Sequence, residues 1–241
     1  MKYFNLITIS ILITLSIRAH ESIGIYDIVN KKLNYQLEFK NISAGNAFIL
    51  LEKDSLSNQS VIKLRSEIKT NKFIDYLYKI RNKITIYMDE HDLSLIKVIN
   101  KINEGSYKKN HHALVDINKM KIINKKGEKE IAQRVYSPLS IIFSIREKLQ
   151  NSKNTFHYKT YSNGKLKDIN ISLIGEEKIK TPFGEFNTLI ITPTSTNNET
   201  VFKNNGDMKI WYTDNKQRLP IKIEIKITFG SIILLLDNIE S

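Results

Sequence analysis

The side chains able to do chemistry in this chain are few and poorly grouped. There is no cysteine, which excludes a disulfide framework, a thiolate zinc site, an iron–sulfur cluster, a cysteine nucleophile and a lipid-bearing N-terminal cysteine. The histidines are His20, His91, His111, His112 and His157. Adjacent His111 and His112 point to opposite faces of a strand and so do not readily chelate one metal. Asp89, Glu90, His91 and Asp92 form a polar cluster in a turn-like setting, which reads as surface. The EF-hand loop, the H-E-x-x-H pattern and a Gly-rich phosphate loop are absent, so neither a metal nor a cofactor is expected. Ser140 has no G-x-S-x-G elbow and no evident His partner, and reads as a first-turn helix residue. A polymer hydrolase would draw on carboxylates such as Glu176, Glu177 or Asp214, two of them ~5–10 Å apart across a cleft. No residue is assigned as catalytic.

Two positions could serve binding. Arg146 falls in an apolar segment, and a buried guanidinium needs an acceptor. Asp214, just after a strand, is the expected partner. The pair reads either as a clamp for an anion or headgroup at the mouth of a barrel or as a structural ion pair locking helix to sheet; the structural reading is favoured. Trp211, the single tryptophan, could stack on a ligand, but its place in an apolar strand favours the core.

The elements that must position these residues are mostly strands. Leu33, Tyr35, Leu37 and Phe39 alternate with Asn34, Gln36 and Glu38, the period of a strand with one buried face. Ile169, Ile171 and Leu173 repeat the pattern. Ile221, Ile223, Ile225, Ile227 and Phe229 extend it furthest, with Pro220 at the start, where a missing N–H is tolerated. Further strands are expected at 46–51, 61–68, 83–88, 94–102, 112–123, 155–161, 186–192, 208–213 and 231–236. Asn163-Gly164, Lys126-Gly127, Asn205-Gly206 and the Asp89–Asp92 cluster supply turns. Segment 72–81 fits a helix through Phe73, Leu77 and Ile80 and a strand through Ile74, Tyr76 and Tyr78.

One helix is expected at about 138–149. Ser137 can cap it, and Pro138 fits the first helical position, where its absent N–H costs nothing. Leu139, Ile141, Ile142, Phe143, Ile145 and Leu149 cover nearly all its faces, so it should be buried. The fold class is mainly β: a single antiparallel curved sheet or barrel-like sandwich with this helix on its concave face.

The chain has 241 residues with 41% hydrophobic and 26% charged positions, ordinary for a protein that builds a core. Met1 and Lys2 precede an apolar run from Tyr3 to Ile17, short of the ~18–20 residues that span a bilayer. This has the form of a secretory signal, with cleavage expected after Ala19 and an uncleaved anchor as the alternative. Residues 1–19 are therefore read as signal and 20–241 as one β-rich domain outside the cytoplasm.

The formal charge is +12, from 37 Lys+Arg against 25 Asp+Glu. Such an excess fits nucleic acid or an anionic membrane. Most of the basic residues are lysines, however, and base reading leans on bidentate arginine. A solvated basic surface accounts for the charge, nucleic acid is disfavoured, and membrane association is expected only through an uncleaved signal segment. The run Lys119, Lys121, Lys125, Lys126 and Lys129 is broken by Glu128 and Glu130 around Gly127, which reads as a hairpin tip.

Several stretches resemble one exported bacterial family, catalogued as domain of unknown function 3108. Tyr136-Ser137-Pro138-Leu139-Ser140, continuing through Phe143 to Arg146, resembles its "D-P-L-S … R" segment, with Ser137 where aspartate is frequent. Ile210-Trp211-Tyr212-Thr213-Asp214, Arg218-Leu219-Pro220 and Phe229-Gly230-Ser231 are similar to its "W-x-T-D … R-x-P … G-S" signature. Thr181 to Phe186, with Gly184, resembles the "T-x-x-G-x-F" turn, and Ala44-Gly45 the "A-G" of the opening strand pair. The matches keep the family's order over roughly residues 31–236. The resemblance implies a periplasmic, mostly β domain in which Ser137, Pro138, Ser140, Gly184, Arg218, Pro220 and Gly230 are structural, and it implies no reaction. The expected function is a non-catalytic periplasmic β domain that binds an amphiphilic ligand, such as a lipid, or an envelope protein. Arg146, Asp214 and Trp211 are its candidate ligand residues. A packed scaffold or assembly factor of the envelope is the alternative, and a hydrolase of an envelope polymer a further one.

Overall fold

Alternating apolar residues account for most of the architecture. Leu33, Tyr35 and Leu37 are buried while Asn34, Gln36 and Glu38 lie outward; Ile169 and Ile171, and Ile221 and Ile223, follow the same rule. The computed structural model describes residues 27–151, 155–196, 208–227 and 230–241. The signal segment 1–19, the Asn205-Gly206 turn and Phe229 lie outside the described residues.

Two antiparallel meanders build one sheet. The first runs through β1 (Lys32–Phe39), β2 (Ile42–Leu56), β3 (Gln59–Thr70), β4 (Arg81–Asp89), β5 (Leu95–Glu104), β6 (Tyr107–Asp116), β7 (Lys121–Asn124) and β8 (Gly127–Glu130). The second comprises β9 (Phe156–Ser162), β10 (Lys165–Thr181), β11 (Gly184–Ser195), β12 (Met208–Thr213), β13 (Pro220–Ile227) and β14 (Gly230–Glu240). The first strand of the chain pairs with the last, Leu37 opposite Leu234, and this seam joins the meanders into a 14-stranded sheet with β8 and β9 at its edges.

The sheet curls until its edges approach, without closing. Asn124 Nδ2 on β7 donates to the Tyr161 hydroxyl on β9 at 3.1 Å. The segment before the helix bridges the gap: Leu95 N–H donates to Val135 C=O at 2.8 Å, and Tyr161 N–H to Tyr136 C=O at 2.8 Å. Helix α2 (Pro138–Ser144) then enters the concave face, burying Ile141, Ile142 and Phe143, with Ile145 and Leu149 buried just beyond it. The Tyr212 hydroxyl donates to the Ile142 carbonyl at 2.8 Å and ties helix to sheet.

Three expectations need correction. Residues 112–123 are not one strand. Asp116 accepts a hydrogen bond from the Lys119 N–H at 3.0 Å and turns the chain between β6 and β7, with Met120 at φ 50°. The hairpin tip read from the lysine run is present, although β8 itself was not expected. The helix stops at Ser144, and a 3-10 turn at Lys148–Asn151 completes the buried segment. The ambiguous stretch 72–81 is neither one helix nor one strand: it opens with α1 (Lys72–Asp75), a single capped turn with no buried residue, and ends at Ile80, which bridges Glu104, and Arg81, which starts β4.

Candidate functional site

Arg146 is buried to 1% exposure in the turn that ends α2. Its partner is not the expected Asp214 but Asp27, reached by Nη2 at 3.0 and 2.9 Å. Nε donates to the carbonyls of Gln217 and Arg218, both at 3.1 Å, and Nη2 also reaches Gln217 C=O. One guanidinium therefore ties together the N-terminal segment, the helix and the β12–β13 loop. Nη1 has no hydrogen-bond partner.

The loop presenting those carbonyls is built by its own side chains. Asn215 Oδ1 accepts from Gln217 N–H at 3.0 Å and Arg218 N–H at 3.3 Å, and the Thr213 hydroxyl accepts from Leu219 N–H at 2.9 Å. Arg218 adopts a left-handed φ of 45°, and Asp214 holds its guanidinium. Asp214 is therefore spent inside the loop. Pro220 opens β13, and its carbonyl accepts from the buried Tyr35 hydroxyl at 2.8 Å. Burial pushes the Tyr35 and Tyr212 hydroxyls up, partly opposed by the nearby Arg146 charge, so both stay protonated donors.

The remaining motif residues are also structural. Ser137 and Ser140 form a capping box: Ser140 Oγ accepts from Ser137 N–H at 3.0 Å and donates to Ser137 C=O at 2.9 Å. A fully buried hydroxyl so occupied is no nucleophile. Gly45 has φ +154°, and a Cβ there would lie 2.1 Å from the Lys69 carbonyl, so only glycine fits between β2 and β3. Gly184 closes the β10–β11 turn beside the Phe186 ring, and Gly230 starts β14 against Phe39 and Lys40.

Trp211 lies on the opposite face of β12 from Tyr212. Its Nε1 donates to Glu177 Oε2 at 2.8 Å, and Lys222 Nζ sits 4.0 Å from the ring centroid. At 4% exposure it presents no stacking surface. The carboxylates named for hydrolysis do not form a pair: Glu177 is held by Trp211 and Asp214 by Arg218, while Glu176 and Glu177 point to opposite faces.

Two small clefts adjoin the helix and the sheet among the described residues. A cleft of about 170 Å³ beside α2 is lined by Asp92, Leu93, Tyr136, Phe143 and Arg146, and a recess of about 60 Å³ adjoins Asp89, Arg134 and Val135. Pockets for small ligands run to ~300–1,000 Å³. Arg134 spans Asp89 and Asp92, 3.3 Å from each. Burial works against the Asp89 carboxylate, but hydrogen bonds from His91 N–H and Arg134 hold it below the usual range. Burial and the neighbouring Asp92 push the Tyr136 hydroxyl up to about 12. Among the described residues no group of His, Asp and Glu is placed to hold a metal.

Sequence reasoning missed Asp27, placed Tyr35 only as a strand residue and named Glu177 only as a hydrolase carboxylate. Tyr35 was legible as an inward residue from its alternation, but nothing local marks Asp27 as the partner of a residue more than a hundred positions away. Comparison with known proteins agrees with the architecture. A family model described as "Protein of unknown function (DUF3108)" matches residues 34–237. No curated protein matches. Among solved structures, the β-barrel-like protein of domain of unknown function DUF1849 from Brucella abortus superposes with a TM-score of 0.62 at 9% identity, over 88% of this chain and 98% of that one.

Proposed function

The chain belongs to the DUF3108 family, and on that premise we propose that it is an exported, non-catalytic protein of the cell envelope that acts through its surface, as a scaffold or assembly factor. The observation carrying this reading is the apolar core on the concave face, where Ile141, Ile142 and Phe143 of α2 pack with side chains of the curled sheet among the described residues. Arg146, the group best suited to clamp an anion, is already engaged by Asp27 and two carbonyls. The apolar N-terminal run ending near Ala19 supports export to the periplasm. The reading is tested by native purification from the periplasm of a Gram-negative host, with mass spectrometry for bound small molecules and crosslinking in intact envelopes. The expected result is a protein without a stoichiometric ligand that crosslinks to a specific envelope protein. A stoichiometric amphiphile, lost in Arg146→Ala while the fold survives, would overturn it in favour of a carrier.

A further inference from the structure

Antiparallel strands alternate in direction, so the β1–β2, β3–β4, β5–β6 and β9–β10 connections emerge at one end of the sheet. Helix α2 and the β12–β13 loop lie at the other. The first end carries apolar side chains that the core does not use. In the β3–β4 connection Phe73 is 66% exposed, Tyr76 92%, Leu77 77% and Tyr78 49%, and Ile42 at the start of β2 is 54% exposed. A cluster of this size, concentrated at one end, is a mark of an interaction surface.

The protrusion is rigidly supported. Asn71 N–H donates to Ala44 C=O at 2.8 Å and Asn71 Nδ2 to Ser43 C=O at 2.7 Å. Arg81 Nη1 binds Asp75 Oδ1 at 3.0 Å and Thr70 C=O at 3.1 Å. Gly105 N–H donates to Lys79 C=O at 2.8 Å, and Gly105 leaves room for the Tyr78 ring, which a Cβ would meet at 2.9 Å. The fold therefore holds these rings and Leu77 out in water instead of letting them collapse onto the sheet.

The surrounding charge selects the partner. Lys40, Lys69, Lys72, Lys79 and Lys108 are exposed at this end and form no ion pair among the described residues. Of the acids at this end, Asp75 is held by Arg81, Glu67 by Lys83 and Glu104 by the Asn82 amide, and Glu38 is the remaining carboxylate among the described residues. Aromatic rings and a leucine at the tip, ringed by lysines that outnumber the acids beside them, match the headgroup layer of an anionic bilayer, where apolar tips insert and lysines meet lipid phosphates. We propose that this end of the barrel docks on an anionic lipid surface through the β3–β4 protrusion. The proposal rests on the reading that the surface, not the interior, does the work, and it supplies a contact independent of the N-terminal segment.

The test is hydrogen exchange and cosedimentation of the full chain with phosphatidylcholine vesicles, with and without phosphatidylglycerol. Vesicles containing phosphatidylglycerol should slow exchange across 71–80 and those without it should not. Phe73→Ser with Leu77→Ser should weaken cosedimentation by about tenfold or more, and Lys72→Glu with Lys79→Glu by about tenfold. If either double variant melts early, Tyr76→Ser, at the most exposed position, serves as the second probe and should also weaken binding. Unchanged exchange across 71–80, or variants that bind like the parent, would overturn the proposal. A protein crosslink through this loop without vesicle affinity would overturn it too and leave the scaffold reading standing. An amphiphile held in the interior with vesicle affinity intact would do the reverse.

Discussion

Arg146→Ala distinguishes a structural lock from a ligand clamp. The substitution removes the buried partner of Asp27 and leaves the Gln217 and Arg218 carbonyls without their donor. Breaking a buried ion pair from one side costs about 3–5 kcal/mol. The Asp27 side chain keeps 33% of its surface in solvent and can rehydrate, which places the expected loss near the lower bound, about 3 kcal/mol. At ~2–4 °C per kcal/mol for a chain of this size, the thermal midpoint should fall by about 6–12 °C. Asp27→Asn alone should cost about 1 kcal/mol, because the carbonyl contacts survive. Circular-dichroism melts of the two single variants and the double variant close a cycle, with a coupling of about 1–2 kcal/mol expected between the positions. An Arg146→Ala loss below about 1 kcal/mol with no coupling to Asp27 would refute the lock, since a guanidinium reserved for an external anion contributes little to the empty fold.

Other consequences are equally open to measurement. Gly45→Ala should destabilise by about 3 kcal/mol or more in urea titrations, because its φ and the Lys69 carbonyl leave no place for a methyl. Burial first, and then the neighbouring charges of Lys109, His112 and Lys126, lower the pKa of His111. Its folded value lies below the unfolded one, so this contribution to stability is present above about pH 6.5 and is lost as pH falls below it. His111→Gln should flatten that part of the stability profile. Trp211 emission should be blue-shifted and resist acrylamide quenching, whereas Lys222→Ala or Glu177→Ala should raise its quenching severalfold; ready quenching in the parent would restore the stacking reading.

Where local periodicity and burial coincide, the sequence was a sufficient guide. β12 was expected at its observed bounds because Met208, Ile210, Trp211 and Tyr212 form an apolar stretch broken only by Lys209. The Ser137-Pro138 start of α2 was legible for the same local reason. The β6–β7 turn was not, because Ile117 and Met120 continue the apolar pattern while a single Asp116 side chain does the turning. Arg146 was correctly read as buried, but its acceptor was misassigned. Asp214 stands in the right loop, yet the loop turns its carbonyls toward the guanidinium and keeps its carboxylate for Arg218. Tertiary pairing of this kind leaves no trace in spacing.

The seam between β1 and β14 has a kinetic consequence. Every other strand pair joins sequence neighbours across a short connection, or at most across the β11–β12 link, and can zip as it is made. The pairing of Leu33 with Ile239 closes a loop of about two hundred residues. High sequence separation slows folding, so the two meanders are expected to form first and the seam last. Until the last strand is available, β1 has β2 alone beside it and the sheet cannot draw its edges around α2. A ribosome-bound or partly delivered chain is therefore held short of its native state by topology alone, and truncation of even the final strand should leave two half-sheets with exposed seams instead of a slightly smaller barrel.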